Sequence, residues 1–177
     1  MSLLLRVLGV FLGARRRGRL DVRGESVLRL RVWPNDLDIY GHLNNGRYLT
    51  LMDLGRFDLI LRTGMGRLVK RNRWTPLVAS ATIRYRKPLK AFQPFELKTR
   101  IVCWDEKWVF IDQRFETDGV VAAAGLIRGL FRGPLGSVPT AEVLAGLGTS
   151  VASPPWPDGV KLWFESEAAS RLSGGSS

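Results

Sequence analysis

The sequence predicts an α+β fold in which a curled antiparallel sheet of about five strands wraps around one long central helix. One observation is a single stretch of helical periodicity, residues 46–63, which follows a short segment of alternating apolar and basic residues. The other is that four more alternating segments come after it, joined by short connections. A sheet with one apolar face and a single amphipathic helix bury both surfaces when the sheet curls around the helix.

The first strand is predicted at Val27 to Trp33, and Pro34 ends it. The central helix follows from about Gly46 to Thr63, with Asn44 or Asn45 as the N-cap residue and Gly64 as a left-handed C-cap. Gly55 lies in mid-helix, where glycine costs about 1 kcal/mol relative to alanine. We therefore expect another element to approach the helix closely at that position.

The remaining strands form an antiparallel meander, because short turns such as Asp118-Gly119 join them. They are predicted at Leu77 to Lys87, Phe95 to Trp104, Lys107 to Phe115 and Val120 to Phe131. Small residues in the last strand let the helix approach, which completes a hotdog arrangement. Residues 140–147 are predicted as a short helix and residues 148–177 as a loosely attached tail. The chain thus divides into an N-terminal segment (1–24), a hotdog domain (25–135) and a C-terminal extension with its tail (136–177).

Composition limits the classes of function. One cysteine, Cys103, excludes an internal disulfide, and with one histidine the chain has too few ligands for an ordinary His/Cys metal site. The net charge is +11, and residues 61–100 contain eleven basic residues against one acid. Such a field attracts nucleic acid, an anionic membrane or the phosphates of coenzyme A, although a basic surface without a specific partner is the alternative. No nucleic-acid recognition motif accompanies the charge, so we expect no specific nucleic-acid partner.

The N-terminal segment is apolar from residue 3 to residue 14 except for Arg6, and arginines follow it at positions 15, 16, 17 and 19. It is shorter than the about 20 apolar residues of a transmembrane helix, and its basic run follows the apolar stretch, unlike a secretory signal. Two interpretations remain for residues 1–20. The segment lies on an anionic membrane as an amphipathic helix, or it packs against the domain or a second subunit, or is partly disordered. We expect a cytoplasmic protein, with peripheral contact at the inner membrane surface under the first interpretation.

The motif before the helix resembles that of a known family. The pattern Asp36-x-Asp38-x-x-x-His42-x-Asn44-Asn45-x-x-Tyr48 is similar to the signature of hotdog-fold acyl-CoA thioesterases related to 4-hydroxybenzoyl-CoA thioesterase and to plant acyl-carrier-protein thioesterases. The stretches 84–87 and 103–108 resemble more narrowly the thioesterase-superfamily-member proteins of mammals. The resemblance covers residues 27–131.

The resemblance implies hydrolysis of an acyl-CoA or acyl-carrier-protein thioester, with Asp38 as the catalytic carboxylate that attacks the carbonyl or activates a water. His42 is expected to orient that carboxylate, polarise the carbonyl or pass a proton to the leaving thiol. Backbone N–H groups at the start of the helix, among Asn45, Gly46 and Tyr48, would stabilise the oxyanion. Tyr40 stands where the plant enzymes carry an asparagine, which favours the simpler aspartate mechanism.

Other residues have alternative interpretations. Asp36 and Asn44 are interpreted as turn and cap residues, and Asp53, on the helix, is the reserve catalytic acid. Basic residues at the end of one predicted strand bind the phosphates of coenzyme A or form a solvated edge: Arg84, Arg86 and Lys87. We expect no cofactor apart from coenzyme A as part of the substrate. The family implies a homodimer or larger oligomer, and a non-catalytic acyl-thioester-binding protein is the alternative function.

Overall fold

The computed structural model describes residues 3–173. The helices are α1 (Leu3–Ala14), α2 (Asn45–Thr63), α3 (Met65–Asn72), α4 (Thr140–Gly146) and α5 (Asp158–Ser173). The strands are β1 (Ser26–Arg31), β2 (Thr75–Tyr85), β3 (Pro94–Trp104), β4 (Val109–Thr117), β5 (Val120–Gly133) and β6 (Gly136–Val138). One 3-10 turn, Pro34–Asp36, follows β1.

The sheet is antiparallel with the strand order β1-β3-β4-β5-β2, and the short strand β6 pairs with the end of β5. The five predicted strands and the curled hotdog arrangement are confirmed, whereas β6 is too short to show an alternating pattern. The predicted four-strand meander is wrong for β2, which pairs with β5 at the edge of the sheet, while β1 takes the place beside β3. Only β3, β4 and β5 follow one another as a meander, because the pairing of β2 depends on a strand much further along the chain. Asp118 and Gly119 form the predicted turn between β4 and β5, with φ of 51° and 72°. Positive φ at both central positions matches the twist of a tight hairpin.

The central helix α2 begins and ends as predicted. The Asn44 side chain accepts a hydrogen bond from the Gly46 N–H at 2.9 Å, and Gly64 takes the left-handed conformation with φ 87°. Leu51, Met52 and Leu54 are at most 1% exposed and fill the space between α2 and the concave face of the sheet. The predicted close approach is confirmed, because little space separates α2 from the sheet.

Two glycines make that approach possible. A Cβ atom at Gly55 would overlap Thr99 Oγ1 and lie 2.9 Å from Gln113 Nε2. On the opposite element, a Cβ atom at Gly125 of β5 would lie 2.6 Å from Met52 Cε. Real Cβ atoms are not found that close to a neighbour, so a side chain at Gly55 would push α2 away from the sheet. A side chain at Gly125 would displace the end of Met52 and lie 2.9 Å from the Thr82 carbonyl of β2.

The N-terminal helix α1 packs on α2 through the side chains of Arg6, Val10 and Ala14. Arg6 forms a buried ion pair with Asp36, and beyond the helix Arg17 lies 2.6 Å from the fully buried Asp58 of α2. This segment therefore packs against the domain, which was one of the expected alternatives. Within residues 3–173, no helix combines the length and the apolar character needed to cross a bilayer.

The C-terminal residues differ from the loosely attached tail that was expected. Helix α5 covers the outer face of the sheet, where Phe110 and Val160 are at most 1% exposed. The guanidinium of Arg128 on β5 lies 2.9 Å from Glu167 and 4.6 Å from the centre of the Trp108 ring. Apolar packing and a buried ion pair hold α5 in place, and neither was visible in the sequence because both partners lie on distant elements. Residues 174–177, the end of the predicted tail, lie outside the described residues.

Candidate functional site

The loop between β1 and α2 is fastened to the domain by Asp36. Its carboxylate is 3% exposed, accepts a hydrogen bond from the Trp33 N–H at 2.9 Å and forms the ion pair with Arg6. The Asp36 carbonyl accepts a hydrogen bond from the Asn44 N–H at 2.9 Å, which joins the two ends of the loop. These contacts agree with the structural interpretation of Asp36 as a turn residue and leave its carboxylate no access to a ligand.

Asp38 is partly exposed and rigidly held. Its Oδ1 atom accepts hydrogen bonds from the backbone N–H groups of Tyr40 at 2.9 Å and His42 at 3.1 Å. The Asp38 N–H donates to the His42 carbonyl at 2.8 Å, and Gly41 turns the chain with φ 76°. Two N–H donors therefore hold Oδ1 in place, while the second carboxylate oxygen, Oδ2, accepts neither of these hydrogen bonds.

His42 contributes its backbone, rather than its ring, to the position of Asp38. Its N–H binds Asp38 Oδ1, and its backbone pairs with Lys90 in the connection between β2 and β3. No hydrogen bond joins the His42 imidazole to the Asp38 carboxylate. A catalytic role for the ring stays a prediction, and the predicted orienting role is performed by the main chain.

The start of α2 lies beside this loop. The exposed Asn45 is the first residue of the helix. The N–H group of the next residue, Gly46, already donates to the Asn44 side chain. The Asn45 carbonyl accepts a hydrogen bond from the Tyr85 hydroxyl at 3.1 Å. This bond places the C-terminal end of β2 against the N-terminal end of α2.

Tyr48 lies in the core. It is 2% exposed, and its ring packs edge-on against Tyr85 and Phe115 at centroid distances of 5.1 and 4.8 Å. Burial raises the pKa of the Tyr48 hydroxyl to about 12, and a hydrogen bond with the Leu89 backbone opposes that shift. The geometry gives the side chain a packing role, and a contact with substrate stays a prediction.

The basic residues at the end of β2 are exposed and lie near the loop. Arg84 belongs to β2, while the backbone N–H groups of Arg86 and Lys87 both donate to the Ala122 carbonyl at 2.8 and 3.0 Å. None of the three side chains has an ion-pair partner within residues 3–173. Because Tyr85 joins this end of β2 to Asn45, the structure brings the basic cluster and the Asp38 loop to the same end of the molecule.

An apolar cavity of roughly 160 Å³ lies between the second half of α2 and the concave face of the sheet. Its apolar lining includes Phe57, Ile60, Leu77, Val78, Ile127 and Leu130. Sequence reasoning did not find this cavity, because its lining comes from α2 and four strands that only folding brings together. Asn45 and Phe57 are separated by about 18 Å along α2 at 1.5 Å per residue, so the cavity and the Asp38 loop are apart within one chain.

Asp53 lines the cavity, with about half of its side chain exposed, and forms an ion pair with Arg56. Arg56 also donates to Gln113 Oε1 at 2.7 Å, and Gln113 Nε2 donates to Thr99 Oγ1 at 2.9 Å. Burial lowers the pKa of the Arg56 guanidinium, and the nearby Asp53 carboxylate partly offsets that effect. One sequence signal pointed to this network, since Gln113 is a polar residue on the otherwise apolar inner side of β4.

Metal ligands are not clustered in the described part of the chain. No group of three or more His, Cys, Asp or Glu side chains in that part is placed to hold a metal ion. Cys103 is fully buried, and burial raises the pKa of its thiol to about 11.

Comparison with known proteins gives one family. A model of the thioesterase-like superfamily matches residues 32–164. Protein THEM6 of Xenopus laevis is 35% identical over 136 residues, which are 76% of this chain and 64% of that protein. Protein THEM6 of Danio rerio is 42% identical over 110 residues, 61% of this chain and 54% of that protein. The chain therefore spans less than two thirds of the length of these two relatives.

Solved structures agree on the fold. The probable thioesterase YbaW of Escherichia coli superposes with a TM-score of 0.63 at 20% identity, over 68% of this chain and 97% of that chain. The family match begins in the loop that carries Asp38, just after β1, continues through α2 and strands β2 to β6, and extends into α5. With a hotdog sheet, a fastened aspartate loop and a match over three quarters of its length, this chain belongs to the thioesterase-like superfamily.

Proposed function

We propose that this protein hydrolyses the thioester of an acyl-CoA or acyl carrier protein, with Asp38 as the catalytic carboxylate. The observation that carries the proposal is the state of Asp38: two backbone N–H groups hold Oδ1, while Oδ2 is left for a substrate or a water. A fixed carboxylate with one available oxygen suits attack on a thioester carbonyl, or removal of a proton from an attacking water.

The start of α2 supplies the complementary charge. As the carbonyl is attacked, negative charge develops on its oxygen, and a helix N-terminus stabilises such charge through unsatisfied N–H groups. The Gly46 N–H is engaged by Asn44, so this role falls to Asn45. If Asp38 acts as a base, it takes the proton of the attacking water, the carbon–sulfur bond breaks to give the free acid, and the leaving thiolate takes up that proton. If Asp38 attacks directly, breakage of the same bond leaves the acyl group on its carboxylate as a mixed anhydride, which water hydrolyses to the free acid while the thiolate is protonated from solvent.

The apolar cavity and the basic cluster suit the two ends of such a substrate, its acyl group and its phosphates. The apolar cavity suits an aliphatic or aromatic acyl group, since burial of apolar surface is worth about 25 cal/mol per Å². The basic cluster of Arg84, Arg86 and Lys87 suits the phosphates of coenzyme A or of a carrier's phosphopantetheine group.

A homodimer would join these features into one site. Strand β2 is the edge of the sheet, and nine of its eleven residues are exposed. A long exposed edge is suited to pair with another strand. Two-fold symmetry makes such a β2–β2 contact antiparallel. Leu77 and Val78 line the cavity near one end of β2, and Tyr85 at the other end contacts the start of α2, beside the Asp38 loop. The loop of one protomer would therefore meet the cavity of its partner.

Asp53 is the alternative catalytic acid. It lies at the cavity that would take the acyl group, but its carboxylate is already paired with Arg56. A non-catalytic acyl-thioester-binding protein is the second candidate function. This function is favoured by the lack of a hydrogen bond between the His42 ring and the Asp38 carboxylate. Without that bond, no second side chain assists Asp38 in catalysis.

The test is thiol release from a panel of acyl-CoAs by the purified protein and by three variants. Asp38→Asn should lower kcat at least about a hundredfold without loss of folded structure, while Asp53→Asn should retain most activity. Asp158→Asn, an exposed aspartate on α5, is the matched control. Loss of activity only in Asp53→Asn would transfer the catalytic role to the helix. Binding without turnover by the native protein would establish the binding function instead.

Subunit complementation tests the shared site. Asp38→Asn removes the carboxylate, and Ile60→Trp fills the cavity from α2. If each site combines the loop of one protomer with the cavity of the other, mixed dimers regain one intact site. Random assortment then restores about one quarter of the native activity. A site contained within one chain would give no recovery.

A further inference from the structure

The outer face of α1 is a broad apolar surface that the described chain leaves open. Val10 and Ala14 on the inner face are 4% and 7% exposed against α2. The outer face includes apolar side chains that are 50–76% exposed: Leu4, Leu8, Phe11 and Leu12. A contiguous exposed apolar surface of this kind marks a contact with other apolar material, such as a membrane or another protein.

The orientation of that face is set by charged contacts at both ends of the segment. Arg6 is buried and paired with Asp36, and Arg17 binds Asp58 Oδ1 with Nε at 3.1 Å and Nη2 at 2.6 Å. Turning the apolar face inward would take Arg6 from Asp36 and Arg17 from Asp58, which is costly for buried carboxylates. Within the described chain, only Arg47 at 3.9 Å and Arg62 at 3.3 Å would remain beside them as cations. The helix is therefore fixed with its leucines pointing outward.

A basic groove adjoins the same face. It has a volume of roughly 870 Å³ and lies between the end of α1 and the junction of α2 with α3. Phe11 and Leu12 line one side, which makes the groove continuous with the apolar face. Its charged lining includes three exposed arginines without an ion-pair partner in the range 3–173: Arg15, Arg19 and Arg67.

Two of these arginines converge over one glycine. A Cβ atom at Gly64 would lie 3.7 Å from Arg67 Nη2 and 3.9 Å from Arg19 Nη2. The two Nη2 atoms are therefore at most about 7.6 Å apart, the sum of these two distances, and like charges this close repel each other unless an anion lies between them. A phosphate accepts several guanidinium hydrogen bonds at once, so it would relieve that repulsion.

We propose that α1 and this groove bind the surface of an anionic phospholipid bilayer. The apolar face lies at the boundary between headgroups and acyl chains, and the arginines contact lipid phosphates. A second copy of the chain fits less well, because a two-fold contact through α1 would bring the unpaired arginines of two chains with net charge +11 together. The proposal is independent of thioester hydrolysis.

The test is sedimentation of the protein with vesicles of phosphatidylcholine, alone or mixed with phosphatidylserine. We expect binding to the mixed vesicles, weaker binding to the neutral ones, and a decrease as salt is raised. Leu8→Gln combined with Leu12→Gln should lower the partition constant at least about tenfold. Leu162→Gln on α5 is the control, because Leu162 is 67% exposed and Leu12 is 68% exposed.

A second variant separates charge from apolar burial. Arg15→Gln combined with Arg19→Gln should remove most of the preference for phosphatidylserine while residual binding remains. Circular dichroism and light scattering of each variant show whether fold and oligomer size are kept. No vesicle binding by the native protein, or equal binding by the leucine variant, would overturn the proposal. A change in oligomer size with unchanged vesicle binding would assign the face to a second copy.

Discussion

Replacing Gly55 with alanine should destabilise the protein by about 1–5 kcal/mol, although alanine is the better helix former. The new Cβ atom would overlap Thr99 Oγ1, lie 2.9 Å from Gln113 Nε2 and lie 3.2 Å from Leu97 Cδ2. Thr99, Gln113 and Leu97 are all 0% exposed. None of them can turn into solvent to make room.

The magnitude follows from three contributions. Overpacking of a dense core costs about 1–3 kcal/mol. Displacing Thr99 weakens the 2.9 Å hydrogen bond from Gln113 Nε2, and an unsatisfied buried donor costs about 1–3 kcal/mol. Alanine offsets about 1 kcal/mol through its higher helix propensity.

Urea unfolding measures the effect as a lower midpoint with an unchanged m-value. Gly9→Ala is the control, since a Cβ atom at Gly9 of α1 meets nothing within 4 Å, and it should stabilise by up to about 1 kcal/mol. Thr99→Ala in both backgrounds completes a double-mutant cycle, in which removal of the hydroxyl should recover about 1–2 kcal/mol of the Gly55→Ala loss.

Equal effects of Gly55→Ala and Gly9→Ala would refute the close approach of α2 to the sheet. Additive effects of the Gly55 and Thr99 substitutions would show that the loss arises elsewhere than at this contact.

Three further predictions concern buried groups. The pKa of the Tyr48 hydroxyl is raised to about 12, against about 10 in an unfolded chain. Folding favours the neutral Tyr48 hydroxyl, so this contribution to the free energy of unfolding is fully present below pH ~10. Between pH ~10 and ~12 the hydroxyl ionises more readily in the unfolded chain, and the free energy of unfolding falls by about 2–3 kcal/mol. Unfolding of Tyr48→Phe should lack that loss. Cys103, whose thiol pKa is raised to about 11, should react with a thiol reagent at neutral pH only as fast as the protein unfolds; immediate labelling would contradict its burial. Glu167→Gln leaves the Arg128 cation buried without its partner and should cost about 3–5 kcal/mol, with faster proteolysis of α5, whereas native-like resistance would show that Phe110 and its neighbours hold the helix alone.

The part of the fold that could be predicted is encoded in local patterns. Alternation gave the five strands, because residues two apart share a face of a strand whatever lies beyond it. The ends of α2 were equally local, since Asn44 caps the helix through a bond to Gly46 and Gly64 adopts a conformation that other residues avoid. The Asp38 loop follows the same logic, since its bonds join residues within four positions of each other.

The errors lie where the partner is remote. Helix α5 was expected to be a loose tail, because nothing in residues 158–173 indicates that the helix packs against Phe110 and Arg128 of the sheet. The packing of the Tyr48 ring against Phe115 was likewise not visible in the motif, and the predicted contact of Tyr48 with substrate stays a prediction. Gly55 is the exception, since a glycine in mid-helix indicated a close approach before the approaching element was known.

Residue order alone therefore determined the strands, the central helix, its caps and the hydrogen-bonded turn around Asp38, because these depend on neighbours along the chain. Folding decided the apolar cavity between α2 and the sheet, the outward apolar face of α1 and the open edge of β2. Each of these surfaces is made or left uncovered by elements far apart in sequence. Their shape is therefore a property of packing that no single segment contains.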